Sequence, residues 1–506
     1  MFKNALVSTS DKNGLVEFLR PLVAQGCRIV STGGTSKHLR DHKIPVVEVA
    51  EQTGFPEVMD GRVRTLHPSI HMPLLARLHN PEDVELLKKN KLEAFDLVIV
   101  NLYPFAEALK KNLPEDELIE FIDIGGPSLL RAASKNFDRI AVVCDPTDYK
   151  WILEKRELNF DDKKKLAAKV FAHTASYDAM IANALTKSLE TQSHQSFISC
   201  GELTQELRYG ENPQQKAWWY KTQGAEKGIQ NAKILHGKAL SYNNLLDIEA
   251  ASRMAREFSE NVVVAVKHNS PCGIATNKDA TETVRLALSA DPVSVFGGIV
   301  ACNFEIDEKA SELFSKVFLE CIVAPGFSKT ALEQLTKKKD LRLLEWDLKS
   351  DTNFEIRSLS GGFLVQAPDQ IEEWNSNWKL LGNEPNAQQK ADLVLAWRAC
   401  ANLKSNAIAI AANNQTIGLG MGQVNRVDAV EQAISRAKKN HGQQMLNAVL
   451  ASDAFFPFAD SMDLINEAKI KWVIQPGGSI RDQEVLDRAA KYGINLVLTG
   501  KRHFRH

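Results

Sequence analysis

The chain contains no run of about 18 apolar residues, so no membrane-spanning helix is expected. Its opening, Met1-Phe-Lys-Asn-Ala-Leu-Val-Ser-Thr-Ser10, lacks the layout of a secretory signal, and a cytoplasmic location is the default expectation. Cysteine is sparse: 7 residues, at 27, 144, 200, 272, 302, 321 and 400. The count is odd and no pair has C-x-x-C spacing, which argues against a disulfide framework and against a zinc finger. Net charge is nearly absent, −1 at pH 7. No global basic field exists for nucleic acid, and any anionic ligand must be held by local Lys, Arg and backbone N–H groups.

What is present is an ordinary globular composition, 44% hydrophobic and 25% charged, over 506 residues. That length suits roughly two to four domains. Early segments alternate between strand and helix. Ala5-Leu-Val-Ser8 reads as a strand, and Leu15, Phe18, Leu19, Leu22 and Val23 recur at helical spacing. Pro21 within that pattern is expected to kink or shorten the helix. Cys27-Arg-Ile-Val30 reads as a second strand, followed by Ser31-Thr-Gly-Gly-Thr-Ser36 and a helix from near Thr35. Glycines, hydroxyls and a helix start suit either a phosphate cradle or a tight turn. The stretch is neither a Walker A loop nor G-x-G-x-x-G.

Asp60-Gly-Arg-Val-Arg-Thr-Leu-His-Pro-Ser-Ile-His71 offers Arg62, Arg64 and Thr65 to a phosphate. His67 and His71 have a metal-like spacing, but Pro68 intervenes and the usual acidic partner is missing. Phe95–Val100 reads as a strand ending at Asn101 and Tyr103. Ile122-Asp-Ile-Gly-Gly-Pro127 turns into a helix that carries Lys135, and Arg139–Cys144 is another strand. This alternation predicts a parallel, doubly wound sheet. Residues 150–190 read as largely helical, and Thr191–Ser196 as a linker.

In the remainder, Val262-Val-Val-Ala-Val266 is a short unbroken apolar run and reads as a buried strand. Lys267 and His268 follow, and Asn269, Ser270, Pro271 and Gly273 are expected to break the strand into a turn. A cation beside an imidazole at a strand end suits proton removal and oxyanion stabilisation; it also suits an ordinary solvent-facing strand end. Asp291–Ala301 reads as a glycine turn joined to a strand, Glu320–Gly326 as a strand, Lys404–Ala412 leading into Thr416–Gln423 as two strands, Ala448–Phe458 as a strand running into aromatics, and Trp472–Gly478 and Asn495–Thr499 as late strands, with helices at Ala391–Cys400 and from about Val427 to Lys439. Phe455, Phe456 and Phe458 form an aromatic cluster suited to a core or to a flat ligand.

Taken together, the motifs resemble the bifunctional family that joins AICAR formyltransferase to IMP cyclohydrolase. They are Ser10-Asp-Lys12, Thr32-Gly-Gly-Thr35, Arg62-Val-Arg-Thr-Leu-His-Pro68, Asn101-Leu-Tyr-Pro-Phe105, Ile122-Asp-Ile-Gly-Gly126, Arg208-Tyr-Gly-Glu-Asn-Pro213, Lys267-His-Asn-Ser-Pro-Cys-Gly273, Phe296-Gly-Gly-Ile-Val-Ala301, Asp453-Ala-Phe-Phe-Pro-Phe458 and the Arg/His-rich tail. They span the chain in one order. The resemblance implies an α/β fold in two parts. Residues 1–198 would form a methylglyoxal-synthase-like, doubly wound parallel sheet for cyclohydrolase. Residues 199–506 would form a transformylase of two cytidine-deaminase-like αβ subdomains, split near 370–390. It also implies a homodimer whose transformylase sites cross the subunit interface, with no nucleic acid or membrane partner.

The implied reactions are formyl transfer from 10-formyltetrahydrofolate to AICAR, giving FAICAR, and dehydrative closure of FAICAR to IMP, with no catalytic metal. By resemblance, His268 is the base and Lys267 the oxyanion stabiliser of the first reaction. Arg208, Tyr209, Gly297, Glu320, Asn406 and Arg426 match nucleotide positions. Val427, Phe455, Asp460, Gly477, Gly478 and Arg502 match folate positions. For ring closure, Lys135 is the implied acid/base, supported by Tyr103 and Asp123. Ser10, Asp11, Lys12, Thr32, Gly33, Gly34, Thr35, Arg62, Arg64, Thr65, Asn101 and Ile124 would hold the nucleotide. Arg64 departs from the family's usual Lys; a phosphate clamp survives that change, but proton transfer does not, because guanidinium stays charged. His71-Met-Pro73, Val295, Ala459 and Ser461 also depart from the pattern. Two other readings are weighed. One is an N-terminal phosphate-ligand sensor attached to a monofunctional transformylase. The other is a zinc nucleobase deaminase, which wants a second Cys three residues beyond Cys272 that is absent.

Overall fold

A computed structural model of the chain describes residues 2–111, 113–155, 157–187, 196–351 and 354–506. Residues 191–195 of the expected linker fall outside the described residues. Contacts group the chain into two units, Met1–Gly201 with Thr222–Gly224, and Glu202–Lys221 with Ala225–His506.

In the first unit, β1 (Asn4–Ser8), β2 (Arg28–Ser31), β3 (Val47–Glu48), β4 (Leu97–Val100) and β5 (Ala141–Val143) form one sheet in the order β3-β2-β1-β4-β5. Every pairing is parallel. Such a sheet needs apolar cover on both faces, which explains why β1, β4 and β5 read as continuous apolar runs. One face is covered by Leu15–Ala24, through Leu15, Phe18, Leu19 and Leu22. Pro21 neither ends nor shortens this helix, which continues to Ala24. The other face is covered by Gly125–Lys135 and Phe160–Lys187, through Leu129, Leu130, Ala133, Val170 and Tyr177. The helix after β2 begins at Gly33, two residues before the expected Thr35, so both glycines lie in its first turn.

In the second unit, β6 (Gly201–Leu207) pairs with β7 (Ala217–Thr222) as a separate two-stranded ribbon. A 12-stranded sheet holds the rest together. Its first half contains β8 (Lys233–His236), β9 (Val262–Lys267), β10 (Ser270–Thr276), β11 (Gly298–Cys302), β12 (Leu319–Ala324) and β13 (Arg342–Glu345). A second ribbon, β14 (Glu355–Leu359) with β15 (Gly362–Gln366), follows. Its two strands expose Ile356, Leu359, Phe363 and Leu364. The second half of the sheet contains β16 (Lys379–Leu381), β17 (Ile408–Ala412), β18 (Gln415–Gly420), β19 (Val449–Ser452), β20 (Trp472–Gln475) and β21 (Asn495–Leu498).

The sheet order is β16-β21-β20-β19-β17-β18-β10-β9-β11-β12-β13-β8. Read outward from its middle, each half repeats one plan. A hairpin comes first (β9–β10, β17–β18), then a strand antiparallel to it (β11, β19). Two parallel strands follow (β12–β13, β20–β21), and an antiparallel edge strand ends the series (β8, β16). The halves meet through β10 and β18. The sequence shows no short-period repeat; the duplication is plainest in topology.

One expectation is corrected here. Ser270, Pro271 and Gly273 do not form a loop; they belong to β10, which pairs with β9 as a tight hairpin. His268 (φ 53°) and Asn269 (φ 60°) make the whole turn, both left-handed, as a two-residue hairpin connection requires. Pro271 is tolerated because the register shifts between it and Gly273. Gly273 is required because a Cβ there would collide with the Ala287 carbonyl of the covering helix Ala280–Ala290.

Candidate active sites

In the first unit the strand order reverses between β1 and β4, the place where open parallel sheets bind ligands at their carboxyl ends. Most of the expected nucleotide residues stand there. Asn101, just past β4, clamps the turn after β1: its Oδ1 accepts from the backbone of Ser10 (2.5 Å) and Asp11 (2.9 Å), and its Nδ2 donates to the Asp11 carbonyl (2.9 Å). Lys12 donates to the Ser10 carbonyl at 3.2 Å. Thr35 braces the same turn through the Thr9 backbone. Thr32 caps the helix Gly33–Asp41 without a side-chain bond to it, so the first turn keeps N–H donors for an anion.

Arg64 lies against Gly33 and Gly61, where any Cβ would collide with its guanidinium, and it is ion-paired with Glu57. Arg62 pairs with Glu120. A cavity of about 380 Å³ adjoins this group, lined in part by Thr32, Gly33, Phe55, Glu57, Arg64 and His67. The His67 ring accepts from Ser69 N–H at 3.1 Å and caps the helix Pro68–Leu75. Among the described residues, no three His, Cys, Asp or Glu groups are placed to hold a metal ion.

Thr65 reaches the start of the Gly125–Lys135 helix, 2.8 Å from where a Gly125 Cβ would stand. Asp123 accepts the Gly126 N–H at 2.7 Å, and the Tyr177 hydroxyl bridges the Asp123 N–H and the Phe121 carbonyl, each at 2.9 Å. Burial holds the Asp123 carboxyl above its ordinary pKa, opposed by backbone hydrogen bonds from Gly126 and Tyr103. Tyr103 and Ile124 are exposed. Lys135 is not brought to this group. It closes the helix that Gly125 opens, which sets it about 15 Å away along the axis, and its side chain is exposed.

In the second unit, the strand directions place most of the remaining expected residues at one edge of the large sheet. Lys267 and His268 end β9, Gly297 precedes β11 and Glu320 opens β12. Asn406 precedes β17, Arg426 and Val427 follow β18, Phe455 follows β19, Gly477 and Gly478 follow β20, and Arg502 follows β21. Arg208 and Tyr209 instead follow β6, with the guanidinium 5.0 Å from the ring centroid. Lys267 donates to the Phe296 carbonyl at 2.7 Å. The exposed rings of Phe296 and Phe318 lie 5.2 Å apart. Glu320 accepts from Asn244 at 2.9 Å, with Arg342 at 4.0 Å.

Arg426 is buried and paired with Asp453, and it also donates to the Ala407 carbonyl at 3.1 Å. Its Nε has no protein partner. Asn406 donates to the Gln423 carbonyl at 2.8 Å. In the aromatic cluster Phe456 is fully buried and serves the core, Phe455 is half-buried, and Phe458 is exposed beneath Arg481. Asp460 opens a helix and bonds the Ser461 N–H at 2.7 Å. Gly478 N–H donates to Asp482 at 2.5 Å.

Sequence reasoning missed Asp247. Its carboxylate accepts the Asn269 N–H at 2.5 Å and also the His268 N–H, so it anchors the hairpin turn. Burial raises its pKa, opposed by those two hydrogen bonds and by the His268 imidazole.

The two groups of residues suit a nucleotide-processing enzyme, one with the donors for an anion and one with a cation beside an imidazole. Comparison with known proteins supplies the family. The AICARFT/IMPCHase bienzyme family matches residues 133–436, and the MGS-like domain matches residues 14–128. The bifunctional purine biosynthesis proteins PurH of Bacillus cereus and Bacillus cytotoxicus are each 47% identical, over 515 and 516 residues, covering 100% of both chains. That of Bacillus anthracis is also 47% identical over 515 residues, with the same coverage. A solved structure described as "Crystal structure of ForH" is 30% identical, spans 37% of this chain and 100% of its own, and has a TM-score of 0.32. This chain belongs to the AICARFT/IMPCHase bienzyme family and is a bifunctional formyltransferase and cyclohydrolase. Full-length similarity supports two activities over the sensor alternative.

Proposed function

We propose that the large sheet edge transfers a formyl group from 10-formyltetrahydrofolate to the 5-amine of AICAR, and that the crevice between β1 and β4 closes the product, FAICAR, to IMP. The observation that carries this reading is the pairing of Lys267 and His268 at the tip of a pinned hairpin. The AICAR amine is a weak nucleophile because its lone pair is delocalised into the ring. His268 takes its proton as nitrogen attacks the formyl carbon, and Lys267 faces the negative charge that develops on oxygen. The carbon–N10 bond then breaks, and tetrahydrofolate leaves with a proton. Arg208, Tyr209, Gly297, Glu320, Asn406 and Arg426 are assigned to the nucleotide. Val427, Phe455, Asp460, Gly477, Gly478 and Arg502 are assigned to the folate.

In ring closure the carboxamide nitrogen attacks the formamide carbon and water is lost. Holding the folded conformer supplies much of the acceleration. Asp123 and Tyr103 are assigned the proton transfers. Lys135, the acid/base implied by resemblance, ends the same helix about 15 Å along from Gly125, so Asp123 is preferred to it. Arg64, always charged, is assigned to the phosphate.

A homodimer would account for the spread of the first site. Lys267 and Phe455 sit four strand spacings apart in the sheet order, roughly 19 Å at 4.8 Å each. Glu320 and Arg502 sit eight apart, roughly 38 Å. One nucleotide with one folate does not fill that span, whereas two copies can bring complementary edges together. The exposed apolar β14–β15 ribbon suits such an interface. Seven free thiols suit a reducing, cytoplasmic location. Sedimentation across a concentration series, with an active-site-mixing assay of His268→Asn and Arg502→Ala subunits, tests the shared site. Restored formyl transfer in the mixed dimer supports it; a fully active monomer would sink it.

A further inference from the structure

The second half of the large sheet carries the same hairpin device as the first, without a histidine. Asn413 (φ 52°) and Asn414 (φ 66°) form the turn between β17 and β18. The Asp392 carboxylate accepts both their N–H groups, at 3.0 and 2.7 Å. Asp392 is the sixth residue of the helix Ala387–Ala401, and Asp247 is the sixth residue of the helix Tyr242–Arg256. Both helices start with a capping box, Asn386 with Gln389 and Ser241 with Asn244. The two aspartates are therefore one structural element used twice. At one copy it holds an Asn-Asn turn; at the other it holds His268.

We propose that Asp247 is the positioning residue for His268. It fixes the left-handed turn that projects the imidazole from the sheet edge. The inference rests on His268 as the base of formyl transfer. The carboxylate needs no contact with substrate: both its protein contacts on the turn are to backbone N–H groups. Other charges surround the pair. Lys267 lies on the hairpin, and Glu320 stands near the start of β12 with Arg342 beside it. Asp247 is the carboxylate bonded directly to the turn. The duplicated site supplies the control, because Asp392→Asn disturbs the same backbone device with no base attached.

The test compares full-length Asp247→Asn, Asp247→Glu, Asp392→Asn and His268→Asn for formyl transfer, ring closure and thermal midpoint. The proposal expects Asp247→Asn to lower the kcat of formyl transfer by about tenfold or more with the KM for AICAR nearly unchanged. Asp247→Glu should recover part of the rate. Asp392→Asn should lower the thermal midpoint while leaving kcat in place. Equal kcat losses in Asp247→Asn and Asp392→Asn, or a loss in Asp247→Asn carried by KM rather than kcat, would overturn the proposal. Unimpaired formyl transfer in His268→Asn would instead overturn the base assignment on which it rests.

Discussion

Replacing His268 with Asn would give the catalytic hairpin the turn composition that the second half already uses at Asn413–Asn414. The substitution separates chemistry from folding. His268 holds φ at 53°, a left-handed conformation that asparagine adopts more readily than most residues. The side chain is exposed, so no core contact is lost. The stability change should therefore stay within about 1 kcal/mol. A general base contributes roughly 100- to 10,000-fold. At about 1.36 kcal/mol per decade, that is roughly 2.7 to 5.4 kcal/mol of activation free energy, several times the expected folding effect. The assay follows tetrahydrofolate release at saturating AICAR, and separately follows IMP from supplied FAICAR. Formyl transfer should fall by two to four decades on that scale while ring closure is unchanged. A folded variant that keeps more than about a tenth of its formyl transfer, or loses both activities alike, would refute the assignment.

Three other outcomes follow from the same geometry. Gly273→Ala should destabilise the second unit by about 1 to 3 kcal/mol, seen as a lower denaturation midpoint, because its Cβ meets the fixed Ala287 carbonyl; a neutral effect would show that the covering helix moves freely. Asp123→Asn should cut IMP formation from FAICAR by about 100-fold or more, whereas exposed Lys135→Ala should cost far less; the reverse order would restore Lys135 as the acid/base. Burial holds Asp392 above its ordinary 3.8, so the folded state binds that proton more tightly than the unfolded one. The stability this gives is complete below 3.8 and is lost as pH rises through the folded pKa. Denaturation from pH 3 upward should thus show a falling component in the parent that Asp392→Asn lacks; identical slopes would mean Asp392 titrates normally.

Much of the fold was readable because unbroken apolar runs mark strands buried on both faces. Val262–Val266 and Leu97–Val100 both fall where the runs put them. The hairpin was not readable, since Pro271 and Gly273 carry turn signals that tertiary contacts override: a register shift accommodates one, and the Ala287 carbonyl demands the other. Pro21 was overridden too, inside a helix whose Leu15, Phe18 and Leu22 are buried against the sheet. The clustering of Ser10, Thr32, Thr35 and Asn101 followed from their places at strand ends. The separation of Lys135 from Gly125 is simple helical rise, available once the helix was recognised. Asp247 left no local signal. A longer-range signal existed: a helix cap, an aspartate six residues on and a hairpin turn 21 residues after that, at Ser241, Asp247 and His268 and again at Asn386, Asp392 and Asn413.

The most direct test of two linked activities on this chain is a coupled assay with AICAR and 10-formyltetrahydrofolate that follows tetrahydrofolate and IMP together. The account predicts that both appear and that FAICAR does not build up, with Arg64 serving as a phosphate clamp. Tetrahydrofolate release with accumulating FAICAR would contradict it, leaving a formyltransferase whose first unit binds nucleotide without closing the ring.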